Sequence, residues 1–442
     1  MKNRKILIIL CFSIFCKILF ASLFPVFADE AYYYIWSVRL QLSYFDHPPA
    51  VSWLIYLGHL FLPAGNPLSL RILFIFASTL TSVIWVFILQ KKKFNDYSIQ
   101  VFLILALLNP LLGPGSVLAT PDVPLILFWS LSYYAFLGLF DDTDIKTKYL
   151  NYSLLGAALG LGFCSKYHIV LFVISGLFAL FIDKSYKKIR LPGILLTVLF
   201  GLIFSLPVLI WNYQNDWSSF LYQLQHGFGK PHYDWHWTLN FYLSQIALMS
   251  PLVFYSLFQK MKDKNNQTFS WTQLFFFTTS SFKAIVEANW PITSHQHSNA
   301  HFLQSASPRK IKATFIYWGF IYFLVIVFFN TPMAKKTLQN QYRSTQLDEL
   351  IPLVEKFHPL YGPSYQIASL LSWKTQKFIP KLNGLSRFDF YDTLPESNPS
   401  ESNIFVLKHF DSIWPEKYQK YTKTKLESFE NLQIELYQLA YE

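Results

Sequence analysis

Apolar runs of about 20 residues recur through most of this chain, and they constrain its fold more than any other feature. A helix of that length crosses the hydrocarbon layer of a membrane. Hydrophobic residues make up 52% of the sequence and charged residues only 14%, whereas soluble domains carry about a quarter charged residues. The pattern excludes an ordinary soluble domain and predicts a mainly α, polytopic bundle of roughly ten to thirteen transmembrane helices.

The predicted crossings are the long apolar segments between charged clusters: residues 6–27, 68–90, 99–117, 123–140, 149–164, 169–182, 194–211, 237–258, 271–286 and 315–329. A shorter run at residues 51–62 is predicted to lie at the interface or to re-enter. The first crossing shows no small-residue cleavage site, so we expect an uncleaved helix rather than a signal peptide. All three cysteines lie in apolar runs, which leaves neither a disulfide framework nor paired zinc ligands.

Short basic clusters predict the orientation of the chain. They lie at residues 2–5, 91–93, 146–148, 184–190, 260–264 and 309–312. Loops of this kind stay on the cytoplasmic side of a membrane. The segments expected to face outward are then residues 28–50, 113–122, 165–168 and 212–236. The formal charge of +11 therefore indicates orientation, not a nucleic-acid partner.

The polar stretch 289–307 has to contain a crossing if the basic clusters on both sides of it are cytoplasmic. It carries His295, His297 and His301 and has little apolar content. We predict a helix there that is buried in protein. The alternative is that the cluster at 309–312 lies outside and the C-terminal tail is cytoplasmic.

The remainder of the chain has soluble composition and mixes short apolar runs, such as 404–407, with turn residues. We predict a transmembrane domain at residues 1–330, with outer-face loops, and a small C-terminal α/β domain at 331–442 on the extracytoplasmic side. The sequence of the tail shows no cofactor fingerprint.

An acidic pair, Asp29 and Glu30, follows the first apolar run at its expected outer end, beside several aromatic residues. Carboxylates near hydrocarbon are costly and usually serve a function. One so placed is suited to act as a general base, which takes a proton from an acceptor hydroxyl or amine as it attacks a sugar carbon. The alternative is a solvated helix end.

Three further outer segments carry candidate polar groups. In the turn before two prolines, His47 suits a phosphate and Asp46 suits a metal, although a plain connector is the alternative. Asp122 begins a predicted helix, where favourable interaction with the helix N-terminus would also explain an acid. Lys166 lies in a turn between two apolar runs and has no acid beside it in sequence. A partly desolvated cation there suits a phosphate, and snorkelling to the interface is the alternative.

Aromatic residues alternate with amides and acids in two outer segments. Sugars fit such surfaces because their apolar faces stack on Trp or Tyr while their hydroxyls bond to Asn, Gln and Glu. An interfacial aromatic belt produces the same composition. The candidate sugar-binding or acceptor-binding residues are Trp217, Gln225, His226, Glu287, Asn289 and Trp290.

Several motifs follow the acidic pair in a fixed order. They are Tyr-Phe-Asp-His-Pro-Pro at 44–49, Thr-Pro-Asp-x-Pro at 120–124, Gly-x-Gly-Phe-x-Ser-Lys-Tyr at 160–167, a Trp-Asn to Asp-Trp loop at 211–217, and Glu-x-Asn-Trp-Pro at 287–291. This order resembles the protein O-mannosyltransferase-like branch of the GT-C glycosyltransferases, which includes bacterial enzymes that decorate lipid A with aminoarabinose or other sugars. The resemblance covers roughly residues 1–330, and the stretches 361–369 and 388–391 resemble the C-terminal part of bacterial members.

The resemblance implies an inverting membrane enzyme that uses a polyprenyl-phosphate-linked sugar on the extracytoplasmic face of a bacterial inner membrane. Lipid A, another glycan or a protein would be the acceptor. Carried over by motif, Asp29 is the base or acceptor-positioning acid, with Glu30 beside it. Lys166 and His47 are expected to bind the donor phosphate. His47 stands where lipid A aminoarabinose transferases have a lysine. This difference leaves open how the donor phosphate is bound and which sugar is transferred.

The resemblance further implies that Asp122 orders the outer loops. The reaction scheme itself requires no cofactor, since a cation such as Lys166 can absorb the charge of the departing phosphate. A divalent metal held by Asp29, Asp46 and Asp122 is the alternative. The main rival function is a lipid or sugar transporter or flippase, but transporters usually show repeat symmetry and midplane charges, which this sequence does not show. A polysaccharide polymerase or ligase would normally carry a larger outer loop.

Overall fold

The computed structural model describes residues 3–228, 232–261, 263–331, 344–399 and 403–441. The chain divides into two compact units. Unit 1 comprises Met1–Ala21, Leu42–Val51 and Arg71–Phe323, and unit 2 comprises Ser22–Gln41, Ser52–Leu70 and Leu324–Glu442. Segments of the two units alternate along the sequence. The domain boundary predicted after residue 330 stays a prediction.

Helices make up most of the described chain. In order they are α1 (Arg4–Leu23), α2 (Ala28–Val38), α3 (Ala50–His59), α4 (Pro67–Lys91), α5 (Asp96–Leu108), α6 (Asp122–Gly138), α7 (Ile145–Phe163), α8 (Val170–Ile182), α9 (Leu191–Gln214), α10 (Ser218–Phe228), α11 (Trp235–Met249), α12 (Pro251–Ser256), α13 (Asn265–Ser281), α14 (Ile292–Leu303), α15 (Pro308–Phe329), α16 (Ile351–Lys356) and α17 (Tyr365–Thr375).

The prediction of a multi-pass membrane protein is confirmed. Within the described residues, four helices are long and apolar enough to cross a membrane by length and composition: α1, α4, α9 and α15. The helices α5, α6 and α8 are apolar but shorter. The expected total of roughly ten to thirteen crossings stays a prediction, since it counts several such shorter helices.

Two predicted crossings are broken in the structure. The helix expected at 99–117 ends at Leu108, because the following Asn109 precedes a proline and adopts an extended conformation. The crossing expected at 237–258 is divided into α11 and α12 at Ser250, which has a φ of 76° and precedes Pro251. Proline disfavours a helical conformation in the residue before it, and this restriction marks both breaks.

The predicted buried helix in the polar stretch 289–307 is confirmed as α14, every residue of which is buried. Its histidines bond to other helices of unit 1. His297 Nε2 accepts a hydrogen bond from Trp129 Nε1 at 2.9 Å, and His295 Nε2 lies 3.0 Å from Gln245 Oε1. His301 Nε2 lies 3.0 Å from a backbone carbonyl of α12. A polar helix is stable at membrane depth only when its side chains find partners of this kind.

Glycines bring α7 and α9 into close contact. A Cβ atom on Gly156 would lie 2.3 Å from the carbonyl oxygen of Thr197, and one on Gly160 would lie 2.6 Å from that of Gly201. Small residues permit such approach between membrane helices, whose association depends on packing. The α7–α9 contact therefore requires glycine at both positions of α7.

We expect Gly156→Val to destabilise the chain by about 1–3 kcal/mol, because the added atoms must push α9 away. The measurement is thermal unfolding of the detergent-purified protein. Gly319→Val is the matched control, since a Cβ on Gly319 of α15 would meet no atom within 4 Å. Equal loss of stability in the two variants would contradict the packing argument.

Unit 2 contains the predicted small α/β structure. Its four-stranded sheet has the order β1-β2-β4-β3, with strands β1 (Leu360–Tyr361), β2 (Asn403–His409), β3 (Tyr421–Phe429) and β4 (Ile434–Tyr441). β1 pairs with β2 in parallel, and the other two pairs are antiparallel. Ile404 and Val406 of β2 pack with Leu439 of β4 in the core of the sheet, so the apolar run at 404–407 belongs to a strand of this sheet.

Candidate active site

Three segments of unit 1 meet at the side chain of Asp122, the first residue of α6. Its Oδ1 lies 2.7 Å from Lys166 Nζ, and its Oδ2 accepts a hydrogen bond of 2.6 Å from Asn289 Nδ2. Asp122 is 6% exposed and Lys166 is 7% exposed. The site is therefore a buried ion pair in which one carboxylate binds a cation and an amide.

Local backbone structure holds both charged groups in place. Lys166 is extended, with a φ of −160°, and connects α7 to a 3-10 turn at Tyr167–Ile169. Its backbone N–H donates to the carbonyl of Gly162 at 2.9 Å, which closes the end of α7. Asp122 follows the N-cap residue Pro121 and is the acid in the first turn of α6. Both oxygens of its carboxylate contact residues from other segments of unit 1.

This geometry adds an acid to the environment of Lys166, which has none beside it in sequence. The acid comes from a residue 44 positions earlier in the chain. An ammonium group has three N–H donors, and the bond to Asp122 uses one of them. The role of Lys166 toward a phosphate stays a prediction.

The turn of Asp46 and His47 lies beside the same segment. The backbone N–H of Ala50 donates to the carbonyl of Cys164 at 2.9 Å. Gln223 of α10 donates from Nε2 to the carbonyl oxygen of Asp46. Asp46 is buried and His47 is half-buried. The motifs at 44–49, 120–124, 160–167 and 287–291, which are distant in sequence, thus converge within unit 1.

A cavity of about 380 Å³ begins at the residues that follow Lys166. Its polar lining includes Tyr167, His168 and Gln223, and the rest consists mainly of aromatic and aliphatic side chains. Trp290 packs on His168 with ring centroids 5.7 Å apart. The Tyr167 hydroxyl lies 2.9 Å from Ser219 Oγ. The cavity is therefore an apolar chamber with polar groups beside the buried ion pair.

Tyr167, His168 and Gln223 were not among the predicted site residues. Tyr167 and His168 directly follow Lys166, so their position in the motif was a usable signal. Gln223 and the predicted Gln225 are two positions apart in α10 and point to opposite sides of the helix. The structure places Gln223 on the cavity and leaves Gln225 exposed.

The other predicted sugar-binding residues are spread over unit 1. Trp217 is 45% exposed and packs against Phe220 with ring centroids 5.7 Å apart. Glu287 is exposed, whereas Trp290 lines the cavity. The side chain of His226 lies outside the described part of the chain.

Asp29 and Glu30 lie in the first turn of α2, in unit 2. Glu30 is buried, and its Oε2 accepts the backbone N–H of Phe27 at 3.1 Å, so this carboxylate caps the helix. Asp29 is exposed, and its Oδ1 accepts a hydrogen bond of 3.2 Å from the hydroxyl of Tyr365 in α17. Of the two acids, Asp29 is the accessible one.

Both closing motifs of the sequence contact α2 within unit 2. The Tyr32 ring lies 4.5 Å from the Tyr365 ring. The Tyr32 hydroxyl accepts the backbone N–H of Phe390 at 2.8 Å. Both motifs therefore pack against α2. That Asp29 and Lys166 act in one active site, as their predicted roles require, stays a prediction, since the two residues belong to different units.

No group of three or more His, Cys, Asp or Glu side chains that could hold a metal ion occurs within either unit, as far as the described residues go. The expectation that no cofactor is required is not tested by this finding.

Residues 46–211 match the family model described as dolichyl-phosphate-mannose-protein mannosyltransferase. That segment includes Asp46, His47, Asp122 and Lys166. Among curated proteins, the lipid A galacturonosyltransferase RgtD of Rhizobium johnstonii is 24% identical over 295 residues, which cover 61% of this chain and 58% of that protein. The chain thus matches less than two thirds of the length of this relative.

Two solved structures of ArnT from Cupriavidus metallidurans resemble the whole chain, one bound to undecaprenyl phosphate and one in the apo state. Both have a TM-score of 0.71, with 10% and 11% identity respectively. The alignments cover 99% and 98% of this chain and 98% and 97% of the solved ones. At such identity the likeness shows the fold. With the family match, it confirms the predicted resemblance to the GT-C glycosyltransferases and the predicted fold class.

We expect Asp122→Ala to destabilise the purified chain by about 3–5 kcal/mol, because Lys166 would remain buried without its counterion. The double variant Asp122→Ala/Lys166→Met should lose less than the sum of the two single variants. Thermal unfolding measures both effects.

The control is Asp141→Ala, which breaks the more exposed pair of Asp141 with Lys91. That variant should lose about 0–1 kcal/mol. Additive single-variant effects at Asp122 and Lys166 would contradict an ion pair that acts as one unit.

Proposed function

We propose that this chain, a multi-pass membrane protein with the fold of the GT-C glycosyltransferases, transfers a sugar from a polyprenyl-phosphate-linked donor to lipid A. The reaction takes place on the extracytoplasmic face of a bacterial inner membrane and inverts the anomeric carbon. Another glycan or a protein is the alternative acceptor.

The observation that carries the proposal is the apolar cavity beside a buried Lys166–Asp122 pair. A polyprenyl phosphate has an apolar chain and an anionic head, so its site needs both an apolar chamber and a cation. The walls of the cavity provide the first, with Phe163, Leu171 and Phe277 among its lining residues. Lys166, adjacent to the lining residue Tyr167, provides the second. A soluble nucleotide-sugar donor has no long apolar chain and would not need an apolar cavity.

Lys166 is proposed to bind the donor phosphate with the N–H donors that remain beyond its bond to Asp122. Negative charge builds on that phosphate as the bond from its oxygen to the anomeric carbon breaks. A fixed cation in a water-poor site stabilises the developing charge without reorganisation. Asp122 and Asn289 position the ammonium group, and His47 is a second phosphate contact.

Asp29 is proposed as the general base. It would take the proton from an acceptor hydroxyl while the hydroxyl oxygen forms its bond to the anomeric carbon, and the phosphate leaves with the bonding electrons. Its exposure suits access by a large acceptor, and the Tyr365 hydroxyl fixes one of its oxygens. Glu30 supports this role by capping the helix that carries Asp29. No step here involves a metal.

The comparisons support the choice of substrates. The similar curated protein is described as a lipid A galacturonosyltransferase, and a similar solved structure holds undecaprenyl phosphate. These descriptions favour a lipid A acceptor and a polyprenyl-phosphate carrier. The identity of the sugar does not follow from them.

The test is Asp29→Asn in membranes supplied with a polyprenyl-phosphate-linked sugar and lipid A. We expect transfer to fall by about 10²–10⁴-fold, because the isosteric amide cannot accept the proton. Release of polyprenyl phosphate and mass analysis of lipid A report the reaction, and protein abundance reports insertion.

Asp96→Asn is the matched control, since Asp96 is an acid in the first turn of another helix, α5, and lies outside the proposed machinery. It should retain full transfer. Undiminished transfer by Asp29→Asn would remove the proposed base. Passage of the donor across the membrane without release of the carrier would instead support a flippase.

A further inference from the structure

A second apolar cavity in unit 1 shares no lining residue with the cavity beside Lys166. It has a volume of about 430 Å³ and is lined by residues of α6, α7, α8 and α9. Pockets for small ligands usually measure about 300–1,000 Å³. Its lining consists mainly of Leu, Val, Ile and Phe side chains. We call it the α7–α9 groove.

The polar side chains in the lining of the groove are already bonded to backbone groups. Thr197 Oγ1 donates to the carbonyl of Tyr152 at 3.0 Å, and the Tyr152 hydroxyl accepts the backbone N–H of Arg190 at 3.1 Å. A polar ligand would find few partners there and would lose its hydration. The occupant that suits the groove is a hydrocarbon chain.

The groove opens to the part of the surface that faces lipid. Val173 and Leu177 of α8 and Val198 and Leu202 of α9 line it and are exposed. Exposed aliphatic side chains on apolar helices of a membrane protein contact acyl chains. Hydrocarbon from the bilayer can therefore enter the groove directly from the side.

Exposed cations flank one end of the groove. Ile189 lines the groove, and its chain neighbours Lys187, Lys188 and Arg190 are exposed. The hydrogen bond from Arg190 N–H to Tyr152 fixes this segment against the groove wall. Basic pockets between membrane helices on the cytoplasmic side bind anionic lipid head groups, and this loop is predicted to be cytoplasmic.

Acids in the neighbouring loops reduce this positive charge only in part. Asp141 pairs with Lys91, and the side chain of Asp144 accepts the backbone N–H of Thr147 at the start of α7. Asp142 and Asp183 are exposed. With Lys184 and Lys146 also exposed, the cations in these loops outnumber the acids.

We propose that the α7–α9 groove binds one anionic phospholipid, with an acyl chain in the groove and the phosphate on Lys187, Lys188 and Arg190. The apolar walls select hydrocarbon, and the three cations select a negative head group over a zwitterionic one. This site is separate from the donor cavity and does not depend on the proposed glycosyl transfer.

The test is native mass spectrometry of the detergent-purified chain titrated with phosphatidylglycerol or phosphatidylcholine of equal chain length. The wild-type protein should retain one phosphatidylglycerol in preference to phosphatidylcholine. The triple variant Lys187→Gln/Lys188→Gln/Arg190→Gln should lose roughly 100-fold in affinity for phosphatidylglycerol, at about 1 kcal/mol for each charge.

Gly201→Leu tests the groove itself, because a Cβ at this lining position meets its nearest atom, Gly156 O, only at 3.6 Å and a longer side chain would fill the space. It should abolish retention of the lipid. If Gly201→Leu folds poorly, the triple variant at Lys187, Lys188 and Arg190 still decides the test. Its three side chains are exposed, so their replacement should not disturb folding.

Each variant has a matched control. Arg309→Gln/Lys310→Gln/Lys312→Gln removes three charges from another predicted cytoplasmic cluster, and Gly319→Leu enlarges a glycine with open space around it. Both controls should bind phosphatidylglycerol as the wild-type chain does. Equal binding of the two lipids, equal losses in variants and controls, or retention of polyprenyl phosphate in place of phosphatidylglycerol would overturn the proposal.

Discussion

The bond between Lys166 and Asp122 is the interaction on which the arrangement of unit 1 depends. Both groups are almost fully buried, and an unpaired buried charge is very costly. Their bond, with the amide of Asn289 on the second carboxylate oxygen, joins the start of α6, the turn after α7 and the segment before α14. Because burial of either charge without its partner would be unfavourable, this bond holds the three loops in fixed positions relative to one another.

That fixed arrangement gives the neighbouring cavity its chemical character. The turn after α7 carries Lys166 and then the cavity residues Tyr167 and His168, while Trp290 follows Asn289 directly. Polar groups are therefore present beside the ion pair, and hydrocarbon side chains form the rest of the wall. A phosphate carried on a long apolar chain has the same two-part character. The buried helix α14 contributes by bonding its histidines to α6, α11 and α12.

Local sequence patterns predicted much of the fold and part of the site. Hydrophobic length predicted α1, α4 and α9, and the balance of basic loops predicted the buried polar helix α14. What failed depended on backbone conformations or distant contacts. A single proline restricted Asn109 and ended α5, and a positive φ at Ser250 divided α11 from α12. The outward placement of residues 28–50 stays a prediction, but no local pattern indicated that the helix α2 within it contacts α17, more than 300 residues later in the sequence.

The same limit applies to the site residues. Each motif marked a polar residue at the end of an apolar run, but no local pattern could show that Asp122 neutralises Lys166 across 44 positions. The sequence interpretation chose Gln225, whereas Gln223 lines the cavity. Amino-acid composition identifies the segment that carries the site, but the phase of the helix decides which of its side chains face the cavity. Asp29 and Glu30 look equivalent in sequence. The structure separates them, because one carboxylate caps α2 and the other is exposed.

Photocrosslinking of the wild-type chain with a diazirine-bearing polyprenyl phosphate tests most directly whether the cavity beside Lys166 holds the carrier. The account predicts adducts on cavity residues such as Ile174, Leu224 and Phe276, which disappear when unlabelled polyprenyl phosphate competes. Adducts spread over lipid-facing positions such as Ile316 and Phe323 of α15, unchanged by the competitor, would contradict it.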